Sequence, residues 1–357
     1  MHELPNLERA SRTDEVAVRP LDVPEEEAWE AFVDRAQDAT FFHRLAWRRV
    51  VARSLGHRSH YLCAWRSREL AGILPLTHVR SRLFGNALLS VGFAVYGGIV
   101  ADDAAAAGAL AEEAVRLGRA LGVDYVELRQ RAPGGAGWRA KPELYFTFSR
   151  ALASSAEANL KAVPRKKRAD LRKALDDRRL TVEVGGAFDT FYRIYAESLR
   201  NLGTPVLPRG FYRAILEEFG DAAELSAVHG PNGPVAALMT FYFKDRTMPY
   251  FGGATPEARP LHAYDLLYWR AMERAVAKGA PVFDFGRSKR GTGSYDYKTY
   301  WGFAPEPLAY ECALIKKDEM PEINPLNPKY RLMVAAWQRL PLAVANAVGP
   351  LVARQIG

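Results

Sequence analysis

Residues 281–310, PVFDFGRSKRGTGSYDYKTYWGFAPEPLAY, carry the densest group of structural signals in the chain. They open with PVFDF, a short apolar run that is typical of a buried strand. A loop rich in glycine and cations follows from Gly286, aromatic residues then surround Lys298, and a second strand-like run, LAYECALI, comes after Pro307. A strand that ends in such a loop predicts a site for a carbonyl or an anion. The alternative is an ordinary surface turn with solvated charges.

The length and composition of the chain fit a soluble protein of two domains. Its 357 residues suffice for two domains of ordinary size, and the contents of 48% hydrophobic and 25% charged residues are those of globular proteins. The net charge of +8 favours an anionic partner, such as a phosphate-bearing substrate, RNA or a membrane surface. Cys63 and Cys312 lie in strand-like runs, so we expect buried, unpaired thiols and neither a disulfide framework nor a zinc site.

The sequence predicts a cytoplasmic protein. The first residues contain no apolar segment of the kind that a signal peptide requires. No run of about 18 apolar residues occurs in the sequence, so no transmembrane helix is predicted.

The two halves of the chain show the same order of elements. In the first half, YGG at Tyr96 precedes an alanine-rich helix over Ala104–Leu121 and the strand VDYVELRQ. In the second half, FGG at Phe251 precedes a long helix and the strand PVFDF. The offset between the halves is about 155 residues, the size of one domain. This order predicts a mixed α/β sheet that is duplicated in tandem.

The chain divides into four predicted parts. Residues 1–15 form a polar tail, and residues 16–150 form the first domain. Residues 151–318 form the second domain, which includes a basic linker helix over residues 155–179. Residues 319–357 form an amphipathic, helical C-terminal tail.

The basic linker helix has a regular spacing of cations. If the helix continues past Pro164, one face carries a stripe of positive charge at positions i, i+4, i+7 and i+11. The residues of this stripe are Lys161, Arg165, Arg168 and Arg172. Such a stripe fits a phosphate-rich ligand, such as a tRNA backbone or a lipid diphosphate. The alternative is a helix between domains whose charges are solvated.

The C-terminal tail is apolar but interrupted. From Leu340 to Ala353 it has no charged residue, and prolines and a glycine break it. With Arg339 and Arg354 on its flanks, it fits an interfacial element that would hold the protein at the inner face of the membrane. Docking on the first domain of the same chain is the alternative.

Several motifs resemble those of the FemAB-type acyltransferases: FDFGRSK, GTGSYDYK, WGFAPEPLAY, FGGATPEARPLHAYDLLYW and the linker LKAVPRKKRADLRKAL. The chain is most similar to the branch associated with exosortase and PEP-CTERM systems of exopolysaccharide-producing bacteria. The resemblance covers roughly residues 16–357.

This resemblance implies an α/β fold of two tandem GNAT-like (acyl-CoA N-acyltransferase-type) domains with mixed sheets. It also implies transfer of an aminoacyl group from aminoacyl-tRNA, or another activated acyl donor, to an amine of an envelope or lipid-linked precursor, without a cofactor.

The resemblance also implies roles for individual residues. Lys298 matches the lysine that the family associates with the transferred acyl group. Arg168 and Arg172 lie where the family has basic substrate-binding residues. The FFHRLAW stretch matches the segment that lines the acceptor cleft, which implicates His43, Trp47 and Arg49.

The expected chemistry requires hydrogen-bond donors at the acyl oxygen. When an amine attacks an ester carbonyl, negative charge develops on oxygen and positive charge on nitrogen. The candidate donors are Lys298, the main chain at Gly291 and Gly293, and the side chains of Arg287 and Lys289. Tyr295 and Trp301, near the lysine, and Tyr264, on the long helix, are candidate substrate contacts. Tyr264 shares a helix face with Tyr268, which is also typical of core packing.

The proton of the attacking amine has several possible acceptors. Asp284 ends the predicted strand, and Asp296 is close to Lys298 in the sequence. Asp284 can instead pair with Arg287, and the proton can also leave through a phosphate or ribose hydroxyl of the substrate. Ser288 lacks the G-x-S-x-G context of a nucleophile, so we expect no covalent enzyme intermediate.

The sequence disfavours coenzyme A as the donor. GNAT enzymes that use acetyl-CoA hold its pyrophosphate in a glycine-rich loop at a helix N-terminus. The corresponding residues 256–261 read PEARPL, without glycine and with two prolines that lack an N–H. A CoA-dependent GNAT N-acyltransferase and a non-catalytic protein that binds a polysaccharide or lipid intermediate are the alternative functions.

Overall fold

The computed structural model describes residues 15–81, 84–133, 138–141, 144–319 and 328–357, and of residues 328–330 the main chain only. The tail predicted for residues 1–15 lies outside these ranges apart from Glu15. The described chain has a mixed α/β fold that divides into two compact units. Unit 1 consists of Met1–Arg48, His57–Lys141 and Ala309–Met320, and unit 2 consists of Arg49–Gly56, Pro142–Leu308 and Pro321–Gly357.

Both units contain helices and strands. Up to residue 141 the elements are β1 (Val16–Pro20), α1 (Glu26–Arg35), α2 (Leu45–Leu55), β2 (Arg58–Arg66), β3 (Glu69–Ser81), β4 (Gly85–Ser90), β5 (Val100–Ala101), α3 (Ala104–Leu121), β6 (Tyr125–Gln130) and β7 (Arg139–Ala140). From residue 144 they are β8 (Tyr145–Thr147), β9 (Ser149–Ala151), α4 (Ala156–Ala162), α5 (Arg165–Asp176), β10 (Thr181–Val184), α6 (Phe188–Leu202), α7 (Arg209–Phe219), β11 (Ala223–Gly230), β12 (Gly233–Phe243), β13 (Arg246–Ala254), α8 (Ala263–Ala277), β14 (Val282–Asp284), β15 (Ser288–Lys289), α9 (Gly293–Tyr300), β16 (Glu306–Pro307), β17 (Ala309–Leu314), α10 (Pro328–Gln338) and α11 (Leu342–Ala353). The predicted helix over Ala104–Leu121 is confirmed as α3, and the strand within PVFDF is confirmed as β14.

The described part of unit 1 is built on an eight-stranded sheet. The strand order is β1-β2-β3-β4-β6-β17-β7, and β5 pairs with β3. The strands β4 and β6 run parallel, with Ala87 opposite Tyr125, whereas the other pairs are antiparallel. Because parallel neighbours need a crossover connection, α3 lies between β4 and β6 in the chain.

The helix α3 starts and ends at residues suited to those positions. Asp103 caps its N-terminus by accepting a hydrogen bond from the Ala106 N–H at 2.9 Å. Gly122 ends it with a φ of +62°, a conformation that glycine adopts without strain. The buried face of the helix, which includes Leu110 and Ala114, packs in one hydrophobic cluster with sheet residues such as Val126.

Unit 2 contains two sheets. The larger has the order β10-β11-β12-β13-β14-β9, and the smaller has the order β15-β8-β16. In the larger sheet β13 and β14 run parallel but pair over only two positions, Arg246 with Val282 and Thr247 with Phe283. The strand β14 ends at Asp284 and β15 begins at Ser288, so the loop of residues 285–287 links the two sheets.

The two faces of the larger sheet carry different helices. A hydrophobic cluster on one face joins α5, α8, α9 and the strands, and it includes Leu171, Leu267, Phe283 and Trp301. On the other face Tyr195 of α6 packs edge-on against Phe251 of β13, with ring centroids 5.7 Å apart. The loop between β14 and β15 is therefore anchored on a well-packed core.

The two units are not contiguous in sequence, unlike the predicted domains 16–150 and 151–318. The strand β17, expected in the second domain, pairs with β6 in the sheet of unit 1, with Tyr310 opposite Arg129. The strands β8 and β9, expected in the first domain, belong to the sheets of unit 2. Long-range strand pairing of this kind leaves little trace in local sequence patterns.

The basic linker helix predicted over residues 155–179 is interrupted at Pro164, so the condition for one cationic stripe is not met. The helices α4 and α5 are separate, because Val163 and Pro164 have extended ψ angles of 132° and 144°. A proline disfavours the helical conformation of the residue before it, so the break falls at Val163. The spacing from Lys161 to Arg172 therefore does not form one stripe along a single helix.

The C-terminal helices α10 and α11 pack on α6 of unit 2. The Gln338 side chain donates a hydrogen bond to the Asn201 carbonyl at 3.1 Å. Gly349 lies so close to Val206 that a Cβ atom at Gly349 would be 3.2 Å from the Val206 main-chain nitrogen. Docking on the same chain was one of the two alternatives, but the sequence analysis assigned it to the first domain.

Among the helices of the described ranges, none combines the length and the apolar composition that crossing a bilayer demands.

Candidate functional site

The side chain of Lys298 is buried at the end of β14. It projects from α9, is only 7% exposed, and its Nζ lies 5.4 Å from the centroid of the Phe148 ring. The ammonium donates hydrogen bonds to the carbonyl oxygens of Gly286 at 2.8 Å and Arg287 at 3.1 Å. A lysine ammonium has three donors, and these two bonds use two of them.

Burial changes the protonation of Lys298. Loss of solvent lowers its pKa to about 7, although the nearby Asp284 carboxylate acts in the opposite direction and the Arg287 guanidinium lowers the pKa further. Near neutral pH the side chain is therefore shared between its charged and neutral forms. A buried lysine with a strongly lowered pKa is typical of functional sites.

The buried ammonium makes the stability of the protein depend on pH. Its folded-state pKa of about 7 is below the value of about 10.4 of an unfolded chain. Between these values the unfolded chain binds more protons, so stability is expected to rise with pH, by about 2 kcal/mol from pH 7 to pH 9 relative to Lys298→Met. Denaturant titrations of both proteins at several pH values measure this difference. Parallel curves would contradict a buried, titrating ammonium.

Asp284 shapes the loop that holds Lys298. Its carboxylate is fully buried and accepts hydrogen bonds from the Gly286 N–H at 2.7 Å and the Thr147 hydroxyl at 3.1 Å. Gly286 has a φ of +70°, which glycine adopts without strain. The carboxylate thus fixes the turn that directs two carbonyl groups at Lys298, and its negative charge raises the pKa of Lys298.

The loop cations are held against aromatic rings. The Arg287 guanidinium lies 4.6 Å and the Lys289 ammonium 5.3 Å from the centroid of the Tyr145 ring. The pairing of β15 with β8, which sets Lys289 opposite Tyr145, produces this arrangement. Arg287 is exposed, so its charge faces solvent at the edge of the loop.

The two candidate glycines are exposed and lie after β15, where the chain turns into α9. Gly291 has a φ of +77°, and Gly293 is the first residue of α9. The helix α9 was not predicted from the sequence, although Lys298 was expected to follow the glycine-rich loop. The Thr292 hydroxyl, which donates to the Lys289 carbonyl at 2.7 Å, closes the turn into the helix.

The candidate aromatic residues pack in the core beside the loop. Tyr295 contacts Phe146 and Phe148 edge-on, with ring centroids 5.5 and 5.2 Å away. Trp301 is fully buried. The hydroxyl of Tyr264 lies 3.2 Å from that of Tyr268. These three side chains belong to or pack against the core cluster beside the loop, which is the alternative role that the sequence offered for Tyr264.

A charged cluster next to α9 was missed by the sequence analysis. Lys167 of α5 pairs with Asp265 of α8, and Tyr297 of α9 donates a hydrogen bond to the same carboxylate at 2.8 Å. The Lys167 ammonium also lies 4.5 Å from the centroid of the Tyr297 ring. Lys167 precedes the buried Leu171 by one helical turn, so the two residues share a helix face. This spacing in the sequence could have predicted that Lys167 faces the core.

The basic residues of α5 have separate environments. Arg168 donates a hydrogen bond to the Lys161 carbonyl at 2.9 Å, so it joins α5 to the end of α4. Arg172 is exposed on the surface of unit 2. The two arginines therefore remain available to a ligand only as surface charges.

The structure places His43 and Trp47 in the packed interior of unit 1. His43 is 1% exposed; its Nε2 donates to the Gly98 carbonyl at 3.0 Å, and its Nδ1 accepts from the Thr40 N–H at 3.0 Å. Trp47 is fully buried and donates to the Gly92 carbonyl at 3.1 Å. Both side chains support the local fold. Arg49 belongs to unit 2, where its Nε forms a salt bridge with the Glu218 carboxylate at 2.6 Å.

Unit 1 contains a buried ionic network that the sequence did not suggest. Glu127 of β6 accepts from Arg129 at 2.7 Å and pairs with Lys141. Burial alone would raise the pKa of Glu127, but the two cations lower it to about 2. The neighbouring Cys312 thiol has its pKa raised to about 12 by burial, which makes it a poor nucleophile.

The described residues contain neither a disulfide nor a metal cluster. Cys63 and Cys312 are free, and both are buried, as their strand-like sequence context predicted. Within the described ranges no group of three or more His, Cys, Asp or Glu side chains could hold a metal ion.

Residues 158–299 match a family model described as an acetyltransferase (GNAT) domain. The matched region runs from α4 to α9 and includes Lys298. No curated protein is similar enough in sequence to count as a relative of this chain.

Solved structures of other proteins share the fold. The structure of FemX is 14% identical, with a TM-score of 0.67 over 88% of this chain and 100% of that chain. A tandem GNAT protein from the clavulanic acid biosynthesis pathway is 10% identical, with a TM-score of 0.55 over 85% of this chain and 100% of that chain. The C-terminal domain of a proposed lysylphosphatidylglycerol synthetase from Agrobacterium fabrum is 14% identical, with a TM-score of 0.53 over 88% of this chain and 95% of that chain. At these identities the matches establish the fold, and the predicted fold class of tandem GNAT-like domains is confirmed.

Proposed function

We propose that this protein is a FemX-like aminoacyltransferase that moves an aminoacyl group from aminoacyl-tRNA to an amine of a cell-envelope or lipid-linked precursor. The observation that carries the proposal is the buried Lys298 ammonium, which two loop carbonyls hold at the end of β14. The acceptor is proposed to belong to an exopolysaccharide system of the exosortase and PEP-CTERM type, as the sequence resemblance implies. The reaction takes place in the cytoplasm, where aminoacyl-tRNA is made.

The proposed reaction needs no covalent enzyme intermediate. The acceptor amine attacks the ester carbonyl, a C–N bond forms, and the negative charge that develops on oxygen is stabilised by the third N–H of Lys298. The C–O bond to the ribose then breaks, and the ribose oxygen takes up the proton that the ammonium of the intermediate releases. Asp284 acts in this scheme by holding the loop and the charge of Lys298.

The loop before α8 supports an RNA-linked donor over coenzyme A. Its N–H groups at Ala258, Arg259 and His262 already donate to carbonyls of the same loop, at 3.1, 3.3 and 3.2 Å. Pro256 and Pro260 have no N–H to donate. The loop thus presents few of the main-chain donors that a pyrophosphate at a helix N-terminus requires.

The test compares the two donor classes with the purified full-length chain. Charged tRNA and acetyl-CoA are offered separately with lipid-linked precursor extracts, and mass spectrometry records the mass added to the acceptor. We expect an aminoacyl increment from charged tRNA and no acetyl increment. An acetyl increment together with saturable CoA binding by calorimetry would overturn the proposal in favour of a CoA-dependent acyltransferase.

A third outcome separates catalysis from binding. If neither donor gives transfer and the precursor binds wild type and Lys298→Met equally well, the protein is a binding module for that precursor. The variant Lys278→Met is the matched control. Lys278 is also a lysine of unit 2, but it pairs with Glu224 outside the loop.

A further inference from the structure

The helix α11 is apolar on both of its sides. Ala345, Gly349 and Ala353 form its buried seam. On the outer side Val344, Val348 and Leu351 are 43%, 40% and 56% exposed, at a spacing of i, i+4 and i+7. A surface helix of a soluble protein normally carries polar residues on its outer side. The outer side of α11 is therefore suited to an apolar environment.

Neighbouring elements extend this surface. On α10, Leu332 and Met333 are 82% and 56% exposed, and at the end of α6 Leu202 is 66% exposed. Both C-terminal helices pack on α6, so these residues lie on the outside of one helix cluster. The six exposed side chains, named here the tail surface, are Leu202, Leu332, Met333, Val344, Val348 and Leu351.

The charged side chains of the C-terminal segment are all positive. Residues 328–357 contain one lysine and three arginines but no aspartate or glutamate. The three arginines, Arg331, Arg339 and Arg354, are exposed. Large apolar side chains next to cations match the interface of a bilayer with anionic lipids, because the apolar groups enter the acyl region while arginines bind phosphates.

We propose that α10 and α11 form a docking surface for anionic phospholipid bilayers, on which the helices lie in the headgroup region without crossing it. Charge favours this occupant over a second copy of the chain. A symmetric dimer through the tail surface would bring two sets of the same arginines together, and the segment has no acid to compensate them. The inference goes beyond the transfer reaction, since it requires neither donor nor acceptor.

Vesicle flotation with the full-length chain tests the proposal. We expect binding to vesicles of phosphatidylcholine with phosphatidylglycerol, weak binding to phosphatidylcholine alone, and a loss of binding as salt increases. Val348→Gln with Leu351→Gln should weaken binding about ten-fold or more, because two large apolar groups leave the surface. Arg331→Gln should weaken binding to anionic vesicles roughly five-fold, with no effect on neutral ones.

Val184→Gln is the matched control. Val184 is 48% exposed on β10 and belongs to neither C-terminal helix, so its replacement should leave binding unchanged. Thermal melts of all variants check that they fold. No binding to anionic vesicles would overturn the proposal. So would a dimer in light scattering that becomes monomeric in the Val348→Gln, Leu351→Gln protein, since a second copy would then cover the surface. Either result leaves aminoacyl transfer in solution unaffected.

Discussion

Replacing Lys298 by methionine is expected to lower the rate of acyl transfer by about 100- to 1,000-fold in a protein that stays folded, the usual effect of removing one donor at a developing oxyanion. Methionine has nearly the length of lysine and fits an apolar environment, so the core around Phe148 should remain packed. The charge and the third N–H are lost together. Single-turnover kinetics with charged tRNA measure the chemical step directly.

The matched control for this variant is Lys278→Met, which should keep the rate within about two-fold because Lys278 pairs with Glu224 and belongs to no part of the loop. The loss in Lys298→Met should fall on kcat, with a small change in KM, because the donor acts on charge that is absent from the ground state. A Lys298→Met protein with wild-type kcat would remove the central residue from the mechanism.

The pH dependence of the rate separates a donor from a base at Lys298. An acceptor amine with an ordinary pKa of about 10 becomes ten-fold more reactive per pH unit through the neutral range. If Lys298 must be charged, the loss of its proton above its pKa of about 7 cancels this gain, and the rate levels off. If Lys298 were the base, the logarithm of the rate would rise with a slope of two below that pKa and a slope of one above it.

Local sequence patterns predicted most elements of the candidate site but not its geometry. The apolar run at β14 and the long helix α8 were readable because their periodicity is strong. The helix α9 was not, since GSYDYKTY lacks an apolar stripe and begins with glycine. The position of Lys298 after the loop was predicted, whereas the two carbonyls that bind it depend on the backbone turn at Gly286.

Long-range pairing explains the remaining differences. The strand β17 was recognised, but its position beside β6 was not. The pairing joins residues such as Tyr310 and Arg129, which are more than 170 residues apart in the sequence. His43 and Trp47 occurred in a motif that resembles an acceptor-binding segment, and their burial in unit 1 could be seen only once the strands were placed. A buried charge such as Glu127 looks like an ordinary surface residue in a sequence.

Replacing Glu127 by glutamine is expected to destabilise unit 1 by about 3–5 kcal/mol, because it leaves Arg129 and Lys141 buried without a counter-charge. The cost should depend on pH. Glu127 has a folded-state pKa of about 2, below its ordinary value of about 4.5, so its contribution is complete above pH 4.5 and is lost as the pH falls toward 2. Denaturant unfolding of wild type and variant at pH 7 and pH 3 measures both effects.

The matched control is Glu113→Gln, which breaks a pair with the exposed Arg116 on α3 of the same unit. Its cost should be below about 1 kcal/mol, since solvent screens surface pairs. Replacing the whole network, as Glu127→Leu with Arg129→Met and Lys141→Met, should recover most of the stability that Glu127→Gln loses, because no buried charge is then left unpaired. A Glu127→Gln protein as stable as wild type at pH 7 would show that solvent reaches these cations. The network would then be a surface feature of unit 1 and not part of its core.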